Sequence, residues 1–270
     1  MPRLLGGVAG ATASSIAFRK RIRQMRNPES WVPSKFAPNG TRWRGSRDLA
    51  ELARSSRLVG DIVAEVYAGA LSTYARGHLL DLGCGKVPLY GIYRSFVANT
   101  TCVDWQESLH ATRHADLLVD LNAACPLPDD TFDTILCTDV IEHLKYPGRL
   151  FHDAARMLKP AGHLILGTPY LYPLHEMPHD YFRCSASALE LMSRDAGLSV
   201  AELVAYGGYR QVLGVLLAKR LERVPLLSSL IPRIALMKRT PARANTPYPL
   251  GYLLVATKEP DSASGPSRDS

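Results

Sequence analysis

Three groups of residues have types and spacings that can do chemistry. The first is Asp81-Leu82-Gly83-Cys84-Gly85-Lys86, where two closely spaced glycines let the chain turn tightly with its amides exposed. A pyrophosphate-binding pattern would place a third glycine at 88, where Pro88 stands instead. Asp104 follows 23 residues after Asp81. An acid at that distance on a neighbouring strand can accept both hydroxyls of a ribose. The second group is Asp139-Val140-Ile141-Glu142-His143. Asp139 and Glu142 share a face of a helical turn, with His143 adjacent. Two carboxylates and an imidazole can hold a hard divalent ion. The other reading of His143 is a pocket-lining or proton-accepting histidine. The third group is TPYLYPLHEMPHDYFRCS, Thr168 to Ser185. Pro169, Pro173 and Pro178 block regular pairing there.

The elements around these groups are short. HLLDL (78–82), TTCVD (100–104), FDTILC (132–137) and GHLILGT (162–168) are apolar runs of buried-strand type. Helical stretches such as GRLFHDAARMLKP (148–160) separate some of them, and residues 48–75 space their apolar side chains for one or two helices. Short buried strands alternating with helices specify a parallel α/β sheet. LSVAELVAY (198–206) and GYLLVATK (251–258) are two further strands, and the leucine-rich, basic interval 207–245 reads as helical. Ligands of open α/β sheets bind outside the carboxyl ends of the strands, where the three groups fall.

Charge is unevenly spread. Residues 1–47 hold ten Lys/Arg and one acid, giving +9; the remainder holds 22 basic and 24 acidic residues, giving −2. The sequence divides into a basic arm (1–47), a main domain (48–258) with a helical insertion (207–245), and a disordered tail (259–270). The arm suits an anionic membrane face or substrate. No nucleic-acid motif accompanies the charge, so nucleic acid is disfavoured. No apolar run reaches the roughly 18–20 residues of a membrane span. The basic cluster Arg19-Lys20-Arg21 follows the mildly apolar stretch 4–18, the reverse of a secretory signal. The five cysteines form no C-x-x-C pair, as for buried thiols in a reducing compartment. The expected location is cytoplasmic, with peripheral membrane contact through the basic and leucine-rich segments.

The order and spacing of DLGCG, Asp104, VDLNAACPLPDDTFDTILCTDVIEH (119–143) and LKPAGHLILGTPY (158–170) resemble class I S-adenosylmethionine (SAM) methyltransferases, over about residues 76–206. The resemblance implies a Rossmann-like fold with a mostly parallel seven-stranded sheet flanked by helices, an N-terminal helical arm and a helical insertion before the last strand. It implies a SAM site built from Asp81, Gly83, Cys84, Gly85 and the ribose acid Asp104, with Asp120 at the adenine amine. D-x-x-E-H is similar to the metal-binding E-x-x-E-H of ubiquinone-pathway O-methyltransferases and small-RNA 2′-O-methyltransferases. That similarity implies Mg²⁺ held by Asp139, Glu142, His143 and a later histidine, His179, with Asp139 replacing the first glutamate. The proline-rich loop resembles that of methyltransferases found among polysaccharide and glycoconjugate biosynthesis proteins.

The reaction so implied is methyl transfer from SAM to a sugar hydroxyl. His143, His175 or His179 would accept its proton, or Mg²⁺ would lower its pKa. Tyr170, Tyr172 and Tyr181 would stack on the acceptor, and Arg183 would bind a phosphate or carboxylate on it. Two alternatives stand beside this one. The acceptor is a small aromatic or isoprenoid molecule, with 207–245 as an apolar lid or membrane-facing surface. Otherwise the chain is a non-catalytic SAM-binding scaffold, against which the intact Asp81, Gly83, Gly85 and Asp104 speak.

Overall fold

The apolar runs form one seven-stranded sheet. In the computed structural model, which describes residues 25–224 and 246–260, its strands are β3 (His78–Leu82), β4 (Asn99–Asp104), β5 (Leu117–Leu118), β6 (Phe132–Thr138), β7 (Leu158–Pro169), β8 (Leu198–Tyr206) and β9 (Gly251–Lys258). Their order is β5-β4-β3-β6-β7-β9-β8. β9 runs antiparallel to both neighbours, and the other pairings are parallel, as expected for a mostly parallel sheet. The order reverses between β3 and β6, which fixes the ligand crevice at their carboxyl ends.

Both faces of the sheet are covered, and the period of two decides which residue faces where. Leu79, Leu136, Ile165 and Val255 point into one core. Leu80, Ile135, Leu164 and Leu254 point into the other. Helix α1 (Arg57–Tyr74) covers the first face. Its buried Val63, Ala64, Tyr67, Ala70 and Leu71 recur at three- and four-residue spacing. The short α2 (Tyr90–Tyr93) lies beside it, and α3 (Pro147–Met157) and α4 (Ala186–Asp195) cover the second face. Ser185 caps α4, its side chain accepting from the Ala188 amide. α5 (Tyr209–Arg220) follows β8.

Two expectations need correction. The stretch 148–160 is not helical to its end: α3 stops at Met157 and β7 starts at Leu158, which pairs with Phe132. Lys159 is tied there to Asp133 at 2.7 Å. Residues 25–47 are not a helical arm. They carry a hairpin, β1 (Phe36–Asn39) and β2 (Arg42–Gly45), closed at Gly40 in the left-handed region. Their basic composition hid the apolar anchors, buried Phe36 and half-buried Trp31 and Trp43, that tie them to the α1-side core. Of the insertion 207–245, α5 is helical as expected, and 225–245 lie outside the described residues, as do 1–24 and 261–270.

Gly167 of β7 lets α1 approach the sheet. A Cβ there would sit 2.2 Å from the hydroxyl oxygen of Tyr67 and 2.6 Å from its Cε1. Tyr67 is fully buried and has no room to swing away. Gly167→Ala is expected to lower stability by about 1–3 kcal/mol. The check is a lower urea midpoint with unchanged slope.

Candidate active site

The turn after β3 is shaped by its neighbours. Gly83 has φ +71°, and a Cβ on it would lie 2.3 Å from a Val140 methyl, so the position requires glycine. The amide of Gly85 donates to Asp104 Oδ2, and the amide of Trp105 donates to Oδ1 at 2.6 Å. Each Asp104 oxygen keeps a lone pair for a further donor. Cys84 Sγ lies 3.8 Å from the same carboxylate. Asp81 sits behind the loop and accepts from the Tyr93 hydroxyl at 3.0 Å. Burial raises the Asp81 carboxyl to about 7, against the Tyr93 hydrogen bond and with help from the charge of Asp104. Asp120, exposed just beyond β5, accepts from the amide and side chain of Asn122. β5 pairs with the end of β4, so Asp120 lies on the Asp104 side of the crevice.

Residues 25–35 cross this edge as a strap. The Arg26 carbonyl meets His114 Nδ1 at 3.0 Å, Trp31 Nε1 donates to the Val87 carbonyl at 2.9 Å, and Lys35 pairs with Asp139 at 2.8 Å.

On the other side of the switch point, the short 3₁₀ turn Ile141–His143 follows β6. Glu142 is fully buried. Its carbonyl accepts from the amides of Tyr181 and Phe182 at 2.8 and 3.2 Å, so it pins the proline-rich loop. Its Oε2 lies 3.4 Å from Thr168 Oγ1. Its Oε1 lies 3.8 Å from His143 Nε2 and 3.7 Å from His175 Nε2. His143 Nδ1 donates to the His179 carbonyl at 2.7 Å, which leaves Nε2 of the neutral ring as a lone pair facing inward. Glu142 Oε1, His143 Nε2 and His175 Nδ1 are buried with no hydrogen-bond partner. Burial, then the charge of Asp139, raises the Glu142 pKa well above the usual carboxylate range. Burial, then His143, lowers that of His175.

The structure redistributes the expected roles. His175, not His179, meets His143, their ring centroids 4.9 Å apart. The His179 ring turns toward Trp105, 5.3 Å away, and its Nδ1 pairs with the Tyr181 hydroxyl at 2.9 Å. Asp139 does not join Glu142. It adopts φ +55° and is held by Lys35 and, at 3.3 Å, by the Tyr67 hydroxyl. Arg183 is not free for an acceptor anion, because both its terminal nitrogens bind Asp180. The Arg183 guanidinium holds Asp180 down to about 2. Tyr172 lies edge-on to His175 at 5.6 Å and faces the cluster, whereas Tyr170 packs on Tyr252. Sequence reasoning missed Lys35, Tyr67 and Glu176. Glu176 lies 3.9 Å from His143 Nε2 and 3.2 Å from His110. No spacing rule links Lys35 to a site more than a hundred residues away. A groove of about 780 Å³ between the hairpin, α1 and α2, lined by Arg42, Trp43, Asp61 and Phe96 among others, shares no residue with this cluster.

Residues 80–166 match the methyltransferase-domain family. The mitochondrial ubiquinone biosynthesis O-methyltransferase of Schizosaccharomyces pombe is 30% identical over 138 residues, 47% of this chain and 49% of that protein. The ubiquinone biosynthesis O-methyltransferase of Coxiella burnetii is 34% identical over 112 residues, 36% and 48% of the two chains. The chain thus spans about half the length of these curated relatives. Among solved structures, the [4+2]-cyclase SpnF superposes with a TM-score of 0.51 at 17% identity, over 83% of this chain and 90% of that one. A methyltransferase solved with the Haloferax volcanii Trm112 activator gives 0.50 at 21%, over 72% and 88%. The fold is the Rossmann-like one of class I methyltransferases. The likeness to a cyclase makes plain that fold alone does not fix the reaction.

The buried Asp81 carboxyl makes a pH test of this description. Its folded pKa of about 7 lies above the ordinary 3.8. Its contribution to stability is therefore full below about 4 and is lost as pH rises through about 7. Asp81→Asn should gain on the wild type across that window, by up to about 4 kcal/mol at roughly 1.4 kcal/mol per unit. Urea midpoints of the two proteins at several pH values check it. Parallel pH profiles would contradict it.

Proposed function

We propose that the chain is a SAM-dependent O-methyltransferase acting on a small aromatic or isoprenoid acceptor. The observation that carries the reading is a juxtaposition at the switch point. A glycine turn tied to a ribose-type acid stands on one side, and a buried proton-accepting cluster on the other. The names of the similar relatives, all concerned with ubiquinone biosynthesis, support this acceptor over the sugar that the loop pattern suggested. No similar protein described above carries a polysaccharide name.

The residues fit the cofactor. Asp104 retains lone pairs, the amides of Gly83 and Cys84 are spent on the Val103 carbonyl so that the turn is fixed close to it, and Asp81 and Asp120 add acidic groups on the same side, with Cys84 beside Asp104. When bound there, SAM supplies a methyl group already activated on a positive sulfur. His143 holds its inward lone pair ready for the acceptor hydroxyl's proton. Glu142, whose proton affinity burial has raised, offers that proton a second place 3.8 Å away. Tyr172 and the loop prolines keep the acceptor's path narrow and stiff.

A second reading rests on a specific observation. Ligand atoms of Glu142, His143 and His175 lie within 4.8 Å of one another, and three buried atoms in the cluster lack partners. With Asp139 withdrawn, the donors are one carboxylate and two imidazoles. Mg²⁺ prefers oxygen ligands and does not fit this set. A borderline ion such as Zn²⁺ or Mn²⁺ fits it better.

Purified protein is to be tested with labelled SAM against catechols, prenylated phenols and sugars. Transfer to phenolic hydroxyls is expected. Transfer to sugars alone would overturn the acceptor, and SAM binding without transfer to any would favour the scaffold. Asp104→Ala should weaken SAM binding by at least about 1.5 kcal/mol. His143→Ala should lower kcat by about a hundredfold or more while SAM affinity holds. Metal analysis separates the two chemistries: full turnover in EDTA leaves His143 as the base. A stoichiometric metal, with turnover lost in EDTA and restored by Mn²⁺ or Zn²⁺ but not Mg²⁺, assigns the cluster to the ion.

A further inference from the structure

Helix α5 is apolar on two sides. Val212, Val215 and Ala218 are buried, while Tyr209 (58% exposed), Leu213, Leu216 and Leu217 (49% exposed) face outward. At 100° per residue, Tyr209, Leu213, Leu216 and Arg220 fall in one stripe, with Leu217 at its margin. Tyr248, half exposed, extends the stripe through a ring contact with Tyr209 at 5.4 Å. A soluble surface helix normally places polar residues there.

The rim of this stripe is cationic. Arg210, Lys219, Arg220 and Arg223 lie on or just after the helix. Beneath it, Ser56 accepts from Lys219 at 2.7 Å, which brings Arg54 and Arg57 alongside. The one acid of this stretch, Glu222, accepts from Ser55 at 2.7 Å. Nearby Asp61 is paired with Arg47 at 2.8 Å. The same helix reaches the acceptor loop. Lys219 lies 5.9 Å over the Tyr172 ring, and exposed Leu174 and Met177 follow in that loop.

We propose that the outer face of α5, with its cationic rim, docks on an anionic lipid bilayer. The apolar stripe would enter the headgroup boundary while the arginines extend to lipid phosphates. A second copy of the chain suits this face poorly, because a two-fold contact would set the cationic rim against itself. No helix among the described residues is long and apolar enough to cross a membrane, so the contact is peripheral. Docking would place the acceptor loop near the lipid surface. It is read without turnover, so it stands or falls separately from the proposed reaction.

The test is sedimentation of the full chain with phosphatidylcholine vesicles carrying or lacking roughly 30% phosphatidylglycerol. The wild type should partition at least about tenfold more strongly to the anionic vesicles at low salt, and weaken in high salt. Leu213→Glu with Leu217→Glu, both exposed changes, should remove most of that partition while melting temperature and SAM binding hold. Arg220→Gln with Arg223→Gln should lower the preference for anionic lipid. Equal partition of the Leu213→Glu, Leu217→Glu variant and the wild type would overturn the proposal. So would a wild type indifferent to lipid charge. A dimer abolished by the leucine changes, in a protein that ignores vesicles, would assign the face to a second copy instead.

Discussion

The acceptor half of the crevice depends on one buried carboxyl. Glu142 holds the proline-rich loop through its carbonyl and β7 through Thr168, and faces two imidazoles with an unbonded Oε1. A carboxylate in such a place is strongly disfavoured unless it is neutralised or paired. Its neighbours do little to pair it. Asp139 adds repulsion, and Arg183 is bound to Asp180. The cluster therefore has a standing demand for positive charge, which a proton, an imidazolium or an ion can meet. That demand is what gives the two histidines their chemical meaning: His143 turns an unbonded Nε2 toward Glu142, and His175 lies between the two acids, with Nε2 3.7 Å from Glu142 and Nδ1 3.5 Å from Asp180.

The cofactor half is assembled by different means. Asp104 is fixed by backbone amides, so its geometry follows from the turn and not from side-chain packing. The strap 25–35 then touches the loops after β4, β3 and β6 in succession. A short stretch of chain thus ties together the strand ends that border the switch point. Functional groups placed on such ends need support of this kind to keep their positions.

What the sequence made legible was local. Each strand read as an apolar run, because both faces of the sheet are covered and no alternation of polar residues is required. DLGCG and Asp104 were readable because turn and acid lie at a fixed distance along adjacent strands. The strap was not readable. Its basic residues suggested an arm for an anionic surface or substrate, and its anchors are scattered aromatics whose partners lie far away in sequence. The choice between His175 and His179 was equally hidden. The two are four residues apart in a loop of no regular period, and the carbonyl of His179, not its ring, makes the contact with His143. Asp139 was misread for a related reason. Helical spacing predicts a shared face with Glu142, but left-handed backbone at Asp139 turns the side chain toward Lys35.

The two halves also differ in the sign of what they lack. Burial, with help from the charge of Asp104, lifts Asp81 to about 7. A positive ligand beside the two acids offsets that charge, so the pocket favours cations before any specific contact is made. The acceptor half, by contrast, presents inward lone pairs and gains from a proton. Val140 divides the two: it packs on Gly83 and opens the 3₁₀ turn that carries Glu142 and His143. A cation-favouring pocket and a proton-seeking cluster, separated by one side chain, make a site where positive charge can be neutralised on one side as a proton is gained on the other. Alkyl transfer from a charged sulfur to a hydroxyl has that balance. Pyrophosphate chemistry does not, and Pro88, standing where the pyrophosphate-binding pattern carries glycine, also speaks against it.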